Sequence, residues 1–247
     1  MSEQFYDRVT KKFGTFSNVP HPVTDYPEGN PEAIFEQKVL EFSGKDKIAL
    51  DIGCGDGRFT LRMAPHFQQI IGIDTSEERL KLAQAEQHKQ GNVRFEMQNA
   101  QHTPFAPDTF DVLYNRRGPA YYREFFRITK PHGYFVMISI GEKDAWELKR
   151  IFGRGQGFRT WKTTALEQAT KALEKEGFIR LYGQSITYDE YYATYQDLDI
   201  FLQGVPIFKD FDSEKDKEFL EAYTAKFQGE KGILLPRHRY VIVCQKP

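Results

Sequence analysis

The chain has 247 residues, of which 40% are hydrophobic and 28% charged, so it can bury a core as one domain or as a domain with an added part. Its formal net charge is −1, which excludes a strong overall attraction to nucleic acid or to an anionic membrane. It has two distant cysteines, no apolar run of membrane-spanning length and no secretory leader, so we expect a cytoplasmic protein without a disulfide framework or a metal site.

The first thirty residues are predicted to form an irregular arm. Closely spaced prolines, beginning with Pro20 and Pro22, exclude a long helix there. The arm also carries aromatic residues, which need cover from the body of the domain or from a ligand. We therefore interpret residues 1–30 as a lid that is mobile without ligand and ordered with it.

Apolar periodicity after the arm predicts alternating helices and strands. One helix begins at Pro31, a second ends near Met63, a third is capped by Ser76 and extends to about Gln90, and a fourth covers residues 121–128. The intervening strands are predicted at 47–52, 70–74, 93–97, 110–114 and 134–140. Strands that alternate with helices in this way indicate an open α/β sheet.

The remaining residues depart from this alternation. They are predicted to form a glycine-rich loop at 153–157, a helix at 164–176, a strand at 178–182, helices at 189–203 and 213–228, and a last strand at 239–244. The return to the last strand is short, so we expect that strand to be antiparallel. The predicted fold is a doubly wound, mostly parallel seven-stranded α/β sheet formed by residues 31–247, with an insertion at about 186–232.

The loop after the first predicted strand has the composition of a ligand-binding turn. Ligands of open α/β sheets bind beyond the carboxyl ends of the strands, and the glycines of residues 53–57 fall there. Glycine lets backbone N–H groups and a helix N-terminus approach a ligand closely. Asp74, at the end of the second predicted strand, is placed to accept hydrogen bonds from a ribose diol.

Four segments resemble the motifs of one family, in the same order along the chain. Residues 51–57, Asp-Ile-Gly-Cys-Gly-Asp-Gly, resemble the first motif of class I S-adenosylmethionine-dependent methyltransferases, which have a Rossmann-like fold. Within this family, the chain resembles the members that methylate small molecules. Residues 74–76 resemble the ribose-binding segment of that family, residues 99–111 its Asp-Ala, Leu-Pro-Phe and Phe-Asp segment, and residues 130–133 its Lys-Pro-Gly-Gly turn. Asn99 departs from the family pattern and removes the usual negative charge, and His132 replaces a glycine.

The resemblance implies S-adenosylmethionine as the cofactor. Asp51 would hold the amino group of its methionine part, Asp74 the ribose hydroxyls, and Asn99 with the Ala100 backbone the adenine. The implied cofactor-binding residues are Asp51, Gly53, Cys54, Gly55, Asp74, Thr75, Asn99, Ala100 and Asn115. A nicotinamide cofactor is the alternative, but its G-x-G-x-x-G pattern needs a glycine where this chain has Arg58.

The segment after the fourth predicted strand is expected, from the resemblance, to lie beside the transferred methyl group. Arg116 or Arg117 would bind a carboxylate or phosphate there, and we expect only one to face the pocket because adjacent residues point in different directions. The alternative is that both are surface arginines paired with Glu124 or other acids. Tyr191 and His238 are further candidates for substrate contact, although such residues are more often structural.

The predicted function is methyl transfer from S-adenosylmethionine to a small molecule in the cytoplasm. The cofactor carries its own leaving group, so no catalytic residue is assigned. A basic stretch makes RNA methylation the less favoured alternative; its residues are Lys149, Arg150, Arg154, Arg159 and Lys162. A third hypothesis is a protein that binds the cofactor without transferring a methyl group. The sequence indicates neither the acceptor nor the oligomeric state.

Overall fold

The fold is that of a computed structural model, which describes residues 9–10, 12–13, 20–87 and 90–247. Most of the predicted lid lies outside these residues. The chain divides into two compact units. The larger unit comprises Pro31–Ser139, Ala165–Ser185 and Tyr240–Pro247, and the smaller unit comprises the segment up to Asn30, Ile140–Thr164 and Ile186–Arg239.

The elements follow in chain order. The strands are β1 (Val23–Asp25), β2 (Gly44–Ile52), β3 (Phe67–Asp74), β4 (Val93–Met97), β5 (Phe110–Arg116), β6 (Thr129–Ile140), β7 (Ile179–Tyr192), β8 (Gln228–Gly229) and β9 (Gly232–Gln245). The helices used below are α1 (Pro31–Glu41), α2 (Arg58–Met63), α3 (Glu77–Gln87), α4 (Tyr122–Ile128), α5 (Trp146–Phe152), α6 (Ala165–Lys175), α7 (Tyr195–Gly204) and α8 (Lys217–Phe227). Among the described residues, no helix is both long and apolar enough to cross a bilayer.

The larger unit is built on the sheet β7-β9-β6-β5-β2-β3-β4. The strand β2 pairs in parallel with β3 and β5, and parallel pairing continues from β3 to β4 and from β5 to β6. The central strands are nearly continuous in apolar residues, as strands covered on both faces should be, and the last four residues of β2 are all buried. The carboxyl ends of β2, β3 and β5 therefore meet at one edge of the sheet.

The smaller unit combines short strands with helices. Val23–Asp25 pairs antiparallel with residues 189–191 of β7, and β8 pairs antiparallel with β9. Helices α5, α7 and α8 supply much of its apolar core, which includes Leu148, Leu202 and Tyr223. Helix α7 begins at a capping box, in which the Thr194 hydroxyl accepts from the N–H of Asp197 and the Asp197 carboxylate accepts from the N–H of Thr194.

The structure confirms the predicted α/β class and the mostly parallel sheet with one antiparallel strand. Three local predictions are wrong. Residues 189–192 extend β7 rather than beginning a helix, because Tyr188 and Tyr192 alternate inward as in a strand. Val23–Asp25 is a strand within the arm that was predicted to be irregular, and β9 begins seven residues earlier than predicted, at Gly232.

The ring of Phe95 packs where two glycines leave space. Phe95 on β4 lies opposite Gly72 of β3 in the parallel register. A Cβ atom at Gly72 would lie 2.8 Å from the Phe95 ring, and one at Gly57 would lie 2.5 Å from it. Real side chains do not approach so closely, so this contact sets the distance between the sheet and the loop that follows β2.

Gly72→Ala should destabilise the protein by about 1–3 kcal/mol, because the added methyl group overpacks the core against Phe95 and Cys54. Gly91→Ala is the matched control, since a Cβ atom there meets nothing within 4 Å. Urea unfolding measures both changes. The double variant Gly72→Ala/Phe95→Leu should recover part of the loss; equal stability of the two single variants would contradict the packing argument.

Candidate functional site

Asp51 lies on β2 next to the loop at the edge of the sheet and is 2% exposed. Its Oδ2 accepts a hydrogen bond of 2.7 Å from the hydroxyl of Thr60 on α2. Burial raises the pKa of Asp51 to about 7, and the Thr60 hydrogen bond and the Arg116 charge offset the effect of burial only in part. The base of the loop therefore holds a carboxyl group that titrates near neutral pH.

The loop after β2 turns through left-handed backbone conformations. Gly53 and Gly55 have φ of 75° and 58°, which glycine adopts without steric cost. The N–H groups of Gly53 and Cys54 both donate to the carbonyl of Ile73, at 2.8 and 3.0 Å. The Cys54 side chain is buried, and burial raises the pKa of its thiol. Cys54 thus fills the loop rather than offering a reactive thiolate.

Asp74 ties this loop to the end of β3. Its Oδ2 accepts from the N–H of Gly55 and its Oδ1 from the N–H of Ser76, both at 2.9 Å. A carboxylate oxygen can accept more than one hydrogen bond, so both oxygens keep acceptor capacity for a ligand hydroxyl. The neighbouring side chain of Thr75 is exposed, whereas Ser76 is buried and begins α3.

Asn99 and Ala100 follow β4 in a turn. The Asn99 Oδ1 accepts from the N–H of Gln101 at 2.9 Å, and the Asn99 carbonyl accepts from the N–H of His102. The Asn99 side chain is exposed, and Ala100 is buried in the core of the larger unit. Because the Asn99 amide is hydrogen-bonded within its own turn, its side chain has little conformational freedom.

Asn115 shapes the loop after β5. It is fully buried; its Nδ2 donates to the Pro119 carbonyl and its Oδ1 accepts from the N–H of Gly118, each at 2.6 Å. A Cβ atom at Gly118 would lie 2.8 Å from that oxygen. Both ends of the Asn115 amide are thus engaged with the loop backbone, which fixes the wall of the site at this position.

Arg116 and Arg117 converge on one carboxylate. The Arg116 Nε lies 3.0 Å from Oε2 of Glu32 on α1, and Arg117 pairs with the other oxygen of Glu32. Arg117 has a φ of 61°, which turns its side chain out of the strand alternation and toward that of Arg116. The expectation that the two side chains diverge is therefore wrong. The guanidinium of Arg116 also lies 5.4 Å from the centre of the Phe59 ring.

The alternative that both arginines pair with acids agrees with the structure, but the acid is Glu32 and not Glu124, which has other partners. Its Oε1 accepts from the N–H and hydroxyl of Thr103 and from Arg127. The hydrogen bond from Arg127 is the main reason why the pKa of Glu124 is lowered to about 2. Glu124 thus stabilises the segment between β4 and β5.

Tyr191 and His238 belong to the smaller unit, whereas the other predicted site residues belong to the larger one. Tyr191 is half-buried, with the Lys231 ammonium 5.3 Å from its ring centre. His238 is 4% exposed, and its Nδ1 accepts from the N–H of Lys143 at 3.2 Å. Burial lowers the pKa of His238, so the ring is neutral with its proton on Nε2. Its basic nitrogen is already engaged, which argues against a role as general base.

Two of the five cations of the basic stretch form ion pairs within the smaller unit. Arg150 pairs with Glu147, and the Nη2 of Arg154 donates to both carboxylate oxygens of Asp216, whereas Lys149 is buried. Its other two cations, Arg159 and Lys162, are exposed. The described stretch thus presents less positive charge than its sequence suggests, which weakens the case for an RNA-binding face.

Sequence reasoning missed two residues of this arrangement, Thr60 and Glu32. Thr60 could have been found, because it lies on the first turn of α2 on the face turned toward β2. Nothing in the sequence pointed to Glu32, which is 84 positions before Arg116. Among the described residues, no group of three or more histidine, cysteine, aspartate or glutamate side chains could hold a metal ion.

Comparisons with known proteins identify the family of this chain. A family model described as a methyltransferase domain matches residues 43–177, more than half of the chain. The uncharacterized methyltransferase YcgJ of Bacillus subtilis is 33% identical over 110 residues, which are 41% of this chain and 43% of that protein. Demethylmenaquinone methyltransferase of Lactococcus lactis is 32% identical over 161 residues, 54% of this chain and 64% of that protein. The matched regions therefore span less than two thirds of either relative.

Two solved structures share the fold. The crystal structure of Bacillus subtilis YcgJ has a TM-score of 0.62 at 18% identity, covering 87% of this chain and 98% of that chain. Geranyl diphosphate C-methyltransferase from Streptomyces coelicolor, in complex with Mg²⁺, geranyl diphosphate and S-adenosyl-L-homocysteine, has a TM-score of 0.57 at 14% identity and covers 98% of both chains.

The raised pKa of Asp51 predicts a pH-dependent stability. The folded state raises this pKa above its ordinary value of 3.8, so the contribution of Asp51 is full below about pH 4 and is lost as the pH rises through 7. Asp51→Asn keeps a neutral side chain at every pH. Its free energy of unfolding relative to wild type should therefore rise by up to about 1.4 kcal/mol per pH unit across this window. Urea unfolding at several pH values measures it; a constant difference would show that Asp51 ionises normally.

Proposed function

Because the chain belongs to the methyltransferase domain family, we propose that it transfers a methyl group from S-adenosylmethionine to a small molecule. The observation that carries this proposal is the arrangement at the ends of β2 and β3, where Asp51, the left-handed glycine loop and Asp74 are joined by hydrogen bonds. The named acceptors of two similar proteins, demethylmenaquinone and geranyl diphosphate, support a small-molecule substrate.

The donors and acceptors of the site suit S-adenosylmethionine. The carboxyl group of Asp51 can balance the charge of an ammonium group, and Asp74 keeps acceptor capacity for two ribose hydroxyls. The left-handed glycines carry no side chain, so the loop backbone can approach the methionine part. Asn99 and the Ala100 backbone would bind the adenine edge, and Gly53, Cys54, Thr75 and Asn115 would line the rest of the cofactor site.

Methyl transfer needs few protein groups once the cofactor and the acceptor are both bound. The cofactor supplies a methyl group on a sulfonium, which is its own leaving group. The residues of the chain must therefore orient the acceptor and keep water out. Asn115 serves this purpose by holding the backbone of Gly118 and Pro119 beside the end of β5.

We assign acceptor binding to Arg116 and Arg117. Their convergence on Glu32 supports this assignment, because it demonstrates that the two guanidinium groups can hold one carboxylate. An acceptor with a carboxylate or phosphate would displace Glu32 or share the arginines with it. Tyr191 stays a candidate acceptor contact, and His238 would contribute at most its Nε2–H as a donor. A lid role for residues 1–30 also stays a proposal.

The two alternative functions, RNA methylation and cofactor binding without transfer, lead to different expectations. RNA methylation needs the basic stretch, in which Arg150 and Arg154 are already paired with Glu147 and Asp216. A cofactor-binding protein without transfer would bind S-adenosylmethionine and leave it unchanged with every metabolite and RNA fraction. We place the protein in the cytoplasm, where two buried cysteines that form no disulfide suit the reducing conditions.

Asp74→Ala should weaken the binding of S-adenosylhomocysteine by about 10- to 100-fold, because it removes the ribose acceptor and releases the N–H groups of Gly55 and Ser76. Asp56→Ala is the control in the same loop, since its carboxylate pairs only with Arg58 among the described residues. Titration calorimetry measures both. A wild type that binds NAD, but neither S-adenosylmethionine nor S-adenosylhomocysteine, would contradict the cofactor assignment.

Arg116→Ala should raise the KM of an anionic acceptor at least tenfold and change the affinity for S-adenosylhomocysteine far less, since Arg116 would bind the acceptor directly but acts on the cofactor site only through its charge near Asp51. Glu32→Gln should lower that KM, because it removes the competing carboxylate. A screen of carboxylated and phosphorylated metabolites supplies the acceptor. An uncharged acceptor, or an Arg116→Ala variant that loses thermal stability and cofactor binding together, would refute the assignment.

A further inference from the structure

Tyr114 on β5 carries a buried hydroxyl group that the proposed function does not use. The residue is fully buried, and its hydroxyl forms no hydrogen bond of normal geometry with any of the described residues. Burial of a hydroxyl group without a hydrogen bond is unfavourable, so such a group in a protein core calls for an explanation.

The hydroxyl of Tyr114 acts on the carboxyl group of Asp51. Asp51 on β2 is opposite Tyr114 in the parallel register, and both residues are buried. Burial raises the pKa of Asp51, and a hydrogen-bonding interaction with Tyr114 is among the effects that lower it. This interaction is incomplete, because its geometry falls outside that of a normal hydrogen bond. Burial and the charge of Asp51 raise the pKa of Tyr114 well above its ordinary value, so the phenol keeps its proton and can donate it to an acceptor.

The ring of Tyr114 is held in place from α2. Phe59 packs edge-on against it, with the ring centres 5.7 Å apart and the planes at 73°. Phe59 is itself buried, and its ring centre lies 5.4 Å from that of Phe35 on α1. Because the ring is packed among buried aromatic side chains, it has little freedom to turn its hydroxyl toward a different acceptor.

Asp51 has room for a second donor when it is ionised. Among the described residues, the hydroxyl of Thr60 is the one group that forms a complete hydrogen bond with the Asp51 carboxyl group. The charges that act on Asp51 are those of Arg116, which favours ionisation, and Asp74, which opposes it. A buried carboxylate needs more hydrogen-bond donors than a buried neutral acid does. Ionisation of Asp51 beside an ammonium group therefore leaves an acceptor that Tyr114 can satisfy.

We propose that Tyr114 is a positioning residue of the cofactor site, whose hydroxyl donates to the Asp51 carboxylate and holds it for the ammonium group of the bound ligand. The inference rests on the proposed function, in which Asp51 balances the charge of that group. The hydroxyl then gains a complete hydrogen bond on ligand binding, which offsets the cost of burying it. Tyr114 thereby favours ligands that carry an ammonium group over those that lack one.

The first test compares melting temperatures at two pH values. Tyr114→Phe removes the hydroxyl and keeps the ring. At about pH 5.5, where most of Asp51 is neutral, the Tm of the variant should equal or exceed that of wild type, because an unsatisfied hydroxyl is lost. At about pH 8.5, where Asp51 is ionised, the Tm should lie about 2–4 °C below that of wild type, because the carboxylate has lost a donor.

Tyr122→Phe is the matched control, since the Tyr122 hydroxyl contacts the sulfur of Met137 at 3.8 Å rather than a carboxyl group. Its Tm difference from wild type should be the same at both pH values. In an Asp51→Asn background, the effect of Tyr114→Phe should also become independent of pH. Should Asp51→Asn not fold, the comparison with Tyr122→Phe decides alone. A Tm difference for Tyr114→Phe that does not change with pH overturns the proposal.

Calorimetric titration separates a positioning role from a structural one. Near neutral pH, Tyr114→Phe should weaken the binding of S-adenosylhomocysteine about 3- to 10-fold. Binding of methylthioadenosine, which has the same nucleoside but no amino group, should stay within about twofold of wild type. Equal weakening of both ligands overturns the proposal. A wild type that binds neither ligand contradicts the proposed function, and the Tm comparison then decides separately whether Tyr114 serves Asp51.

Discussion

The edge of the sheet that carries the candidate site depends on one steric constraint, the placement of the Phe95 ring against Gly57 and Gly72. Neither glycine position has room for a Cβ atom beside this ring. One glycine lies in β3 and the other begins α2, so the same contact sets the spacing between two strands and the helix that follows the loop. Asp74 can then reach the N–H of Gly55 at hydrogen-bond distance. Tight packing at one ring thus positions polar groups that it does not touch.

The two aspartates of the site have the same side chain but different properties, because their environments differ. Asp51 is buried, and burial raises its pKa to about 7. Asp74 is partly exposed and accepts from two backbone N–H groups, which fix its two oxygens in place as hydrogen-bond acceptors. A ligand with a permanent positive charge gains most from Asp51 when that group is ionised, whereas neutral hydroxyls need only the acceptor capacity of Asp74. Asp51 and Asp74 thus suit the two parts of a cofactor whose positive charge and hydroxyl groups lie apart.

Local patterns in the sequence were enough to predict the core of the larger unit. The apolar run before Asp74 and the glycines after Asp51 mark strand ends, and the parallel sheet brings those ends together. The sequence patterns gave wrong predictions where contacts between residues distant in the chain determine the structure. Val23–Asp25 is too short to be recognised as a strand without its partner in β7. The direction of Arg117 was predicted wrongly because its left-handed backbone cannot be read from residue type. Glu32 was missed because its contact with the arginines spans more than eighty residues.

The pairing of Arg116 and Arg117 with Glu32 has a consequence for selectivity. A carboxylate tethered on α1 acts at an effective concentration on the order of millimolar or above, so a small free anion competes with it poorly. If the arginine pair binds the acceptor as we propose, the acceptor would therefore have to gain additional affinity from its uncharged part to displace Glu32. Under this proposal many metabolites would carry the required charge, and the apolar or hydrogen-bonded remainder of the acceptor would decide which of them binds. The arginine pair alone would be a promiscuous anion site, whereas with Glu32 in place it would reject anions that make no other contact.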